Sequence, residues 1–556
     1  MWLSIGWGLP DVGFGRHPAD GHRDRPALTD RTTSNEAPHN IAGRTKMRTW
    51  GPLTAVCLGT FMLLLDVTIV VVALPDMARA LDASLSDLQW VIDGYALALA
   101  ALLLGVGAAA DVLGRRRIQV AGTVVFALAS LGCGLASNAE ILVAARAVQG
   151  LGAAAMFATT LPLLGAAYQG KRRSVALGVW GAVSGGAAAL GPIVGGLLTE
   201  GPGWRWIFFV NLPVSVAAVW LTLRWVPEPA QGGQAGQAGQ ATGAAARRVD
   251  WAGTVTFALF AGALTYGAVR ASAEGWTSAR TGVTFAVAAL ALIAFVAVER
   301  RVTHPLIDLR LLRKPAFTGV LIGAVGYNAA AFGVIPYLSI WLQTVLGMSP
   351  VRGSLVLLPL AATSFVVAAI GGRLLHGAPA RYVIGVGLLL IGAGGLAMAV
   401  LDARSSWSAL VPGLTLAGIG TGLVAPGLAG AALASVPPKD AGMAGGAVNT
   451  FRQLGYALGV AVFGTVLTSR MQDSIGQDAA HTAAGGGASA LAGQVSAHDV
   501  REAFAAGLNG ASLTAGAVGV VAGLAVLLMV RTKPGSGAGQ APSTTPEPAP
   551  VKQLQG

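Results

Sequence analysis

Apolar residues fall in long blocks along this chain, and polar residues are confined to short breaks between them. A helix that crosses the hydrocarbon of a bilayer needs about 20 mostly apolar residues. Runs of that size lie at 53–74, 88–110, 118–136, 141–164, 175–198, 206–226, 251–270, 281–298, 316–343, 353–372, 382–401, 409–435, 444–468 and 507–530. The pattern predicts an all-α integral membrane protein with fourteen spanning helices.

Four stretches interrupt it. Residues 1–46 are polar and lack the apolar core of a signal peptide; they are expected to be a disordered tail, or to precede a true start at Met47. QGGQAGQAGQATGAAA (231–246) is a low-complexity flexible linker that divides six spans from eight. Residues 471–505 are Gly/Ala-rich and are expected to form an outer loop, in which His481 and His498 are assigned no role. Residues 532–556 read as a second disordered tail. The expected organisation is a six-helix bundle over 47–230, a linker over 231–250, two extra helices over 251–298, and a second six-helix bundle over 299–531. A faint repeat agrees with two halves: LDAS (81–84) precedes span two and LGMS (346–349) precedes span ten. In each copy a glycine follows the serine by 23 residues, Gly107 and Gly372. Weak internal symmetry of this kind is expected of transporters built from repeated bundles.

Composition then fixes the medium. The chain of 556 residues is 54% hydrophobic and 11% charged, against about 25% charged in an average soluble domain. Its net charge of +12 is not a nucleic-acid footprint, because the basic residues gather in alternate loops. Arg115–Arg117, Lys171–Arg173, Arg247–Arg248, Arg300–Arg301 with Arg310, Arg313 and Lys314, then Arg373 and Arg381, all lie on one side. The opposite loops carry Asp76, Asp82, Asp87, Glu140 and Glu274. Lys and Arg accumulate in short cytoplasmic loops, so both termini are expected in the cytoplasm of a multi-pass protein of the cell membrane. Cys57 and Cys133 both fall in apolar runs and offer neither a disulfide framework nor a metal cluster. GAAYQGKR (165–172) imitates a phosphate-binding loop, but Arg172 stands where the Mg²⁺-binding hydroxyl belongs and no strand precedes it. Neither a cofactor nor a metal is expected.

Candidate chemistry begins with LLLDVTIVVVALP (63–75), where Asp66 stands alone among aliphatic residues. GAAADVLGRRR (107–117) closes span two. Gly107 and Gly114 permit close helix approach and a tight turn, and Asp111 can pair with a neighbouring helix end, so with Arg115 and Arg116 they make a candidate conformational latch. This stretch resembles the cytoplasmic loop motif of the major facilitator superfamily. RAVQGLGAA (146–154) is similar to a second motif of that superfamily, in which an intramembrane Arg takes part in proton transfer, the role implied for Arg146. An Arg in a bilayer costs roughly 2.5–3.5 kcal/mol on the insertion scale unless paired or hydrated. WGAVSGGAAALGPIVGG (180–196) resembles the superfamily's antiporter motif, at Gly191, Pro192, Gly195 and Gly196. Its glycines Gly181 and Gly185, then Gly191 and Gly195, are four apart and share a helix face for tight packing, and Pro192 can bend the helix. WRWIFFVNLPV (204–214), PLIDLRLL (305–312) and NTFRQLGYALG (449–459) extend the resemblance, in order, over roughly 50–470. The whole looks like the fourteen-span drug/proton antiporter family, from which it departs at Val71, where that family often carries Asn.

Depth places these groups together. At about 1.5 Å per residue, Asp66, Asp93 and Arg146 are expected in one layer below the outer face, lining a common cavity. That placement suggests proton exchange at Asp66 tuned by Arg146, with Asp93 as a second carboxylate that attracts cationic substrate, beside Tyr95. Tyr327, Asn328, Tyr337 and Gln343 are candidates for the C-terminal side of the cavity. Asn449, Arg452 and Gln453 are gating or structural candidates. The expected activity is efflux of a hydrophobic or cationic drug-like molecule in exchange for protons by a monomer, driven by the proton gradient. A dedicated exporter of one endogenous antibiotic or metabolite is the alternative, and a non-transporting membrane sensor a remote one. No reactive cluster at one membrane face points to an enzyme.

Overall fold

The computed structural model describes residues 39–227, 250–303, 305–374, 378–437, 441–491 and 493–530. Residues 231–249 of the linker and both expected tails, apart from residues 39–46, lie outside them. The first two helices are α1 (His39–Leu81) and α2 (Leu85–Leu113), followed by α3 (Arg115–Gly134), α4 (Ala139–Ala167) and α5 (Gly170–Glu200). A short α6 (Trp206–Phe209) leads into α7 (Asn211–Trp225). The pair α8 (Trp251–Glu274) and α9 (Ala279–Glu299) follows, then α10 (Pro315–Phe332), α11 (Ile335–Ile340), α12 (Pro350–Val356) and α13 (Leu358–Leu374). The remainder is α14 (Ala380–Met398), α15 (Val411–Ser435), α16 (Ala441–Ile475), α17 (Gln477–Thr482) and α18 (Ala497–Met529).

Among the described residues twelve helices are long and apolar enough to cross a membrane, or up to thirteen if the pair bent by 43°, Pro350–Val356 with Leu358–Gly371, is one span. The remaining expected span, 175–198, falls within the 31-residue α5. The two serines of the repeat do the same local job. Ser84 accepts from the Asp87 backbone N–H in a capping box that opens α2, and Ser349 accepts from the Arg352 N–H to open α12. Each supplies an acceptor that the first turn of a helix lacks. Gly114, at φ 103°, joins α2 to α3 with no loop between them, a left-handed conformation that glycine adopts without strain.

Large apolar side chains such as Leu128, Val216, Trp220, Leu290, Ile293 and Leu528 are exposed on helix faces, as contact with lipid tails requires. With apolar solvent outside, helix association rests on close packing rather than hydrophobic burial. Contiguous core packing runs from Ile69, Met77 and Ile92 in the first group of helices to Tyr337, Trp341 and Val460 in the last.

Residues 471–505 are not the loop expected from their Gly/Ala content. α16 runs on to Ile475 and α18 starts at Ala497, with α17 and short helical turns between. Alanine favours helix, and Ser496 caps α18 through the Asp499 N–H. His481 is half-buried and hydrogen-bonded to Gln472, and burial pushes its imidazole below the usual range; His498 is exposed beside Glu502 at 3.6 Å.

Taking inner and outer as the sides predicted from the basic loops, the two groups of helices touch at the outer end, and α2 and α16 also meet farther in, where a methyl group on Gly446 would lie 2.4 Å from the Leu104 side chain. Gln343 donates to the Val72 carbonyl at 2.8 Å, and Glu200 accepts from the Val351 N–H at 3.3 Å. A methyl group placed on Gly196 of α5 would lie 2.8 Å from Ser354 Oγ. Toward the inner end, methyl groups on Gly178 and Gly181 of α5, or on Gly442 and Gly445 of α16, would meet no atom within 4 Å. The arrangement is closed on its outer side.

Candidate functional site

Asp66 and Arg146 meet inside the first group of helices. Arg146 Nη1 donates to Asp66 Oδ2 at 2.6 Å, and the two side chains are 2% and 0% exposed. The other carboxylate oxygen, Oδ1, accepts from Gln149 Nε2 at 2.8 Å and from Asn211 Nδ2 at 3.0 Å. Ser130 Oγ accepts from both amides, at 2.8 and 3.3 Å. Arg146 is satisfied on its remaining sides: it donates to Gln149 Oε1 at 2.7 Å and to the Val91 carbonyl at 3.0 Å. Its guanidinium lies 4.2 Å from the centroid of the Tyr95 ring. The site is therefore a neutral pair of opposite charges, assembled from α1, α2, α3, α4 and α7 and sealed from solvent.

Local geometry explains the assembly. Gln149 follows Arg146 by three residues and so shares its face of α4. Gly150 lets α4 approach α2 so closely that a methyl group there would fall 2.5 Å from the Tyr95 carbonyl. Gly191 and Gly195 seat α5 against α1, where added methyl groups would collide with Thr68 and the Ile69 carbonyl. α5 runs through Pro192 as one helix. The expected face of four packing glycines holds only in its outer half, since Gly181 touches nothing; Gly185 has surroundings outside the described residues. The absence of Asn at position 71 leaves Asp66 in no deficit. Val71 is buried, and Gln149 and Asn211 supply the donors.

Asp93 is not in that layer's common site. It is fully buried, and neither oxygen has a hydrogen-bond partner. Four residues before it on the same face of α2, Gln89 Nε2 donates to Tyr337 Oη at 2.8 Å. Farther along that face, Thr450 of α16 donates to the Ala100 carbonyl at 3.1 Å. This face looks across to α11 and α16, as the contacts of Gln89 with Tyr337 and of Ala100 with Thr450 show. Tyr95, two residues on, points the other way, to Arg146, because adjacent odd positions of a helix are about 200° apart.

The other expected residues are placed as follows. Tyr337 donates to the Val460 carbonyl, and Gln343 bonds Val72. Both close contacts between elements and do not line an open cavity. Arg452 stacks 5.2 Å from the Tyr327 centroid and donates to Asn328 Oδ1 at 3.3 Å, which ties α16 to α10. Asn449 donates back to the Gly445 carbonyl, and Gln453 is half-buried. In the latch motif Gly107 faces Ala158 and Arg116 donates to the Leu223 carbonyl at 2.5 Å. Arg115 is engaged as well, and the Asp111 side chain lies outside the described residues. Both cysteines are buried and free. Gln149, Asn211, Ser130, Gln89 and Tyr456 were not anticipated. The spacing of Gln149 from Arg146, and of Gln89 from Asp93, is the signal that points to two of them.

Residues 56–460 match the family model described as Major Facilitator Superfamily. The chain is 37% identical to the multidrug resistance protein Stp of Mycobacterium tuberculosis (strain CDC 1551 / Oshkosh) over 418 residues, 75% of each chain. It is 32% identical to the tetracenomycin C resistance and export protein of Streptomyces glaucescens over 533 residues, covering 92% of this chain and 96% of that one. Among solved structures, a bacterial homolog of the human lysosomal transporter Spinster, inward-facing and unoccupied, superposes with a TM-score of 0.58. The identity there is 18%, over 88% of this chain and 100% of that one.

Proposed function

The chain belongs to the major facilitator superfamily, and on that premise we propose that it exports a hydrophobic or cationic drug-like molecule in exchange for protons. It is a transporter of small molecules and not an enzyme. It works as a monomer in the cell membrane, with both termini in the cytoplasm. The observation that carries the reading is the sealed Asp66–Arg146 pair, with Gln149 and Asn211 donating to the same carboxylate. The names of the relatives, a multidrug resistance protein and a resistance and export protein, support drug efflux.

In this reading the outward-closed arrangement holds Asp66 ionised. Outward opening lets water and a proton reach it. Protonation removes the charge that Arg146 answers, and breaking a buried pair costs about 3–5 kcal/mol, enough to shift a two-state equilibrium. The guanidinium then keeps Gln149 Oε1, the Val91 carbonyl and the Tyr95 ring as partners. Loss of the proton to the inside restores the pair. Asp93, buried with two unpartnered oxygens on the face of α2 that meets α16, attracts a cationic substrate between the two groups of helices.

The test is flux in proteoliposomes under an imposed pH gradient. Wild type is expected to move substrate with the gradient, and Asp66→Asn to lose gradient-dependent movement. Coupled transport by Asp66→Asn defeats the coupling role, and no gradient-dependent flux for any compound defeats the proposal. Export of a single antibiotic is the second reading, favoured by the relative named for tetracenomycin C. Protection of a hypersensitive host against one compound and not a panel selects it.

A further inference from the structure

A second pair of acids lies apart from Asp66, at the inner end of the two extra helices. Asp250 caps α8. Its Oδ1 accepts from the Gly253 N–H at 2.7 Å, and its carbonyl accepts from Thr254 Oγ1 at 2.8 Å. Glu299 ends α9, and its Oε2 accepts from the Ile307 N–H at 3.3 Å. Each carboxylate thus has one oxygen held by a backbone donor. The other oxygens, Asp250 Oδ2 and Glu299 Oε1, are buried with no partner, in side chains of residues only 7% and 5% exposed. They converge over one glycine: a methyl group on Gly253 would lie 2.4 Å from Asp250 Oδ2 and 2.8 Å from Glu299 Oε1. The two free oxygens are therefore no farther apart than those two distances combined.

Two ionised carboxylates facing each other in a buried site repel and leave acceptors unsatisfied. One shared proton answers both faults. A metal ion of the calcium type takes six or more oxygen ligands; among the described residues no group of three or more His, Cys, Asp or Glu side chains could hold one, and the backbone groups bonded to these carboxylates, Gly253 and Ile307, are N–H donors. We propose that Asp250 and Glu299 share one proton between Asp250 Oδ2 and Glu299 Oε1, a proton-binding site on the inner side that is separate from Asp66.

The site sits at a joint. Thr254, one turn above Asp250, packs against Gly105 of α2. The segment held by Glu299 continues through buried Leu306 and Ile307 to Asp308, whose N–H reaches Met443 Sδ at the start of α16. The proton clamps α8 to α9 and, through Ile307, keeps this segment seated; alkaline conditions remove it and loosen the joint. The charged groups nearby are these among the described residues, and His304 lies between Glu299 and Ile307 in sequence. Arg300 and Arg301 follow Glu299 and are exposed, and Asp308 is occupied by the Arg310 N–H. α2 presents Gly105 here and α16 presents Met443, neither titratable. Arg247 and Arg248 precede Asp250 in sequence.

The purified full chain in lipid nanodiscs tests this by two readouts, each followed as pH is raised: the infrared carbonyl band of protonated carboxyl groups, and hydrogen exchange over 299–308. Wild type is expected to lose a component of that band that is absent from both Glu299→Gln and Asp250→Asn, and to gain exchange over 299–308 beyond the intrinsic pH effect. In Glu299→Gln the amide N–H takes the place of the proton, so exchange there stays flat. Gradient-driven flux persists in Glu299→Gln, which separates this site from the proposed coupling at Asp66. Band titrations that superimpose in wild type and both variants overturn the proposal, as does exchange that rises equally in all three. If Glu299→Gln fails to fold, the band comparison with Asp250→Asn decides.

Discussion

Replacing Asp66 by Asn looks conservative, yet every group that touches its carboxylate is a donor. Arg146 Nη1 occupies one oxygen, and Gln149 Nε2 and Asn211 Nδ2 share the other. An Asn amide must turn its own NH₂ toward one of them, so at least one contact becomes donor against donor. Losing a charged hydrogen bond costs about 1.5–3 kcal/mol, and the stranded Arg146 raises the total to about 3–5 kcal/mol. Arg146→Gln is expected to cost a similar amount from the opposite side, by leaving a buried carboxylate with two neutral donors. The double variant Asp66→Asn with Arg146→Gln removes both charges, and a coupling of about 2–3 kcal/mol is expected. Thermal unfolding of the four proteins in one detergent, followed by tryptophan fluorescence, completes the cycle. Additive losses, with the double variant as damaged as the sum of the singles, refute the claim that the two charges hold each other.

Asp93→Asn is expected to be at least as stable as wild type, because a carboxyl group with neither oxygen hydrogen-bonded is costly to bury. Its efflux of cationic compounds is expected to fall about tenfold more than that of neutral ones, a difference worth about 1.4 kcal/mol; equal losses for both classes remove Asp93 from substrate recognition. Gly191→Ala places a methyl group against Thr68 of α1 and is expected to destabilise by about 1–3 kcal/mol. Gly181→Ala meets nothing and serves as the matched control in the same thermal assay; equal loss in both variants counts against the α1–α5 contact. Gln343→Ala removes the bond to the Val72 carbonyl across the outer closure. It is expected to increase labelling of cysteines introduced in the outer segments of α1 and α11, and unchanged labelling excludes Gln343 from that closure.

Most span positions were legible because the relevant signal is local: about 20 apolar residues in a row are visible without knowing what they pack against. The same reasoning failed over 471–505, where Gly and Ala gave no hydrophobic run, yet alanine's helix preference and the Ser496 cap fold most of the segment. Within the site, depth along the helices put Asp66 and Arg146 at one level, and they do meet. Depth does not fix rotation, which is why Asp93 is expected in the same cavity although it shares the face of α2 that meets α11 and α16. One turn of sequence corrects this: positions 89, 93 and 100 share a face of α2, while 91 and 95 share the one that meets Arg146. The donors that satisfy Asp66 are harder to foresee, since Asn211 arrives from α7, 145 residues away, and only the folded arrangement brings it there. The same arrangement shows why an aliphatic Val71 is tolerated in α1. A buried carboxylate needs its acceptors filled, not a particular neighbour to fill them, and three donors from two other helices already do so.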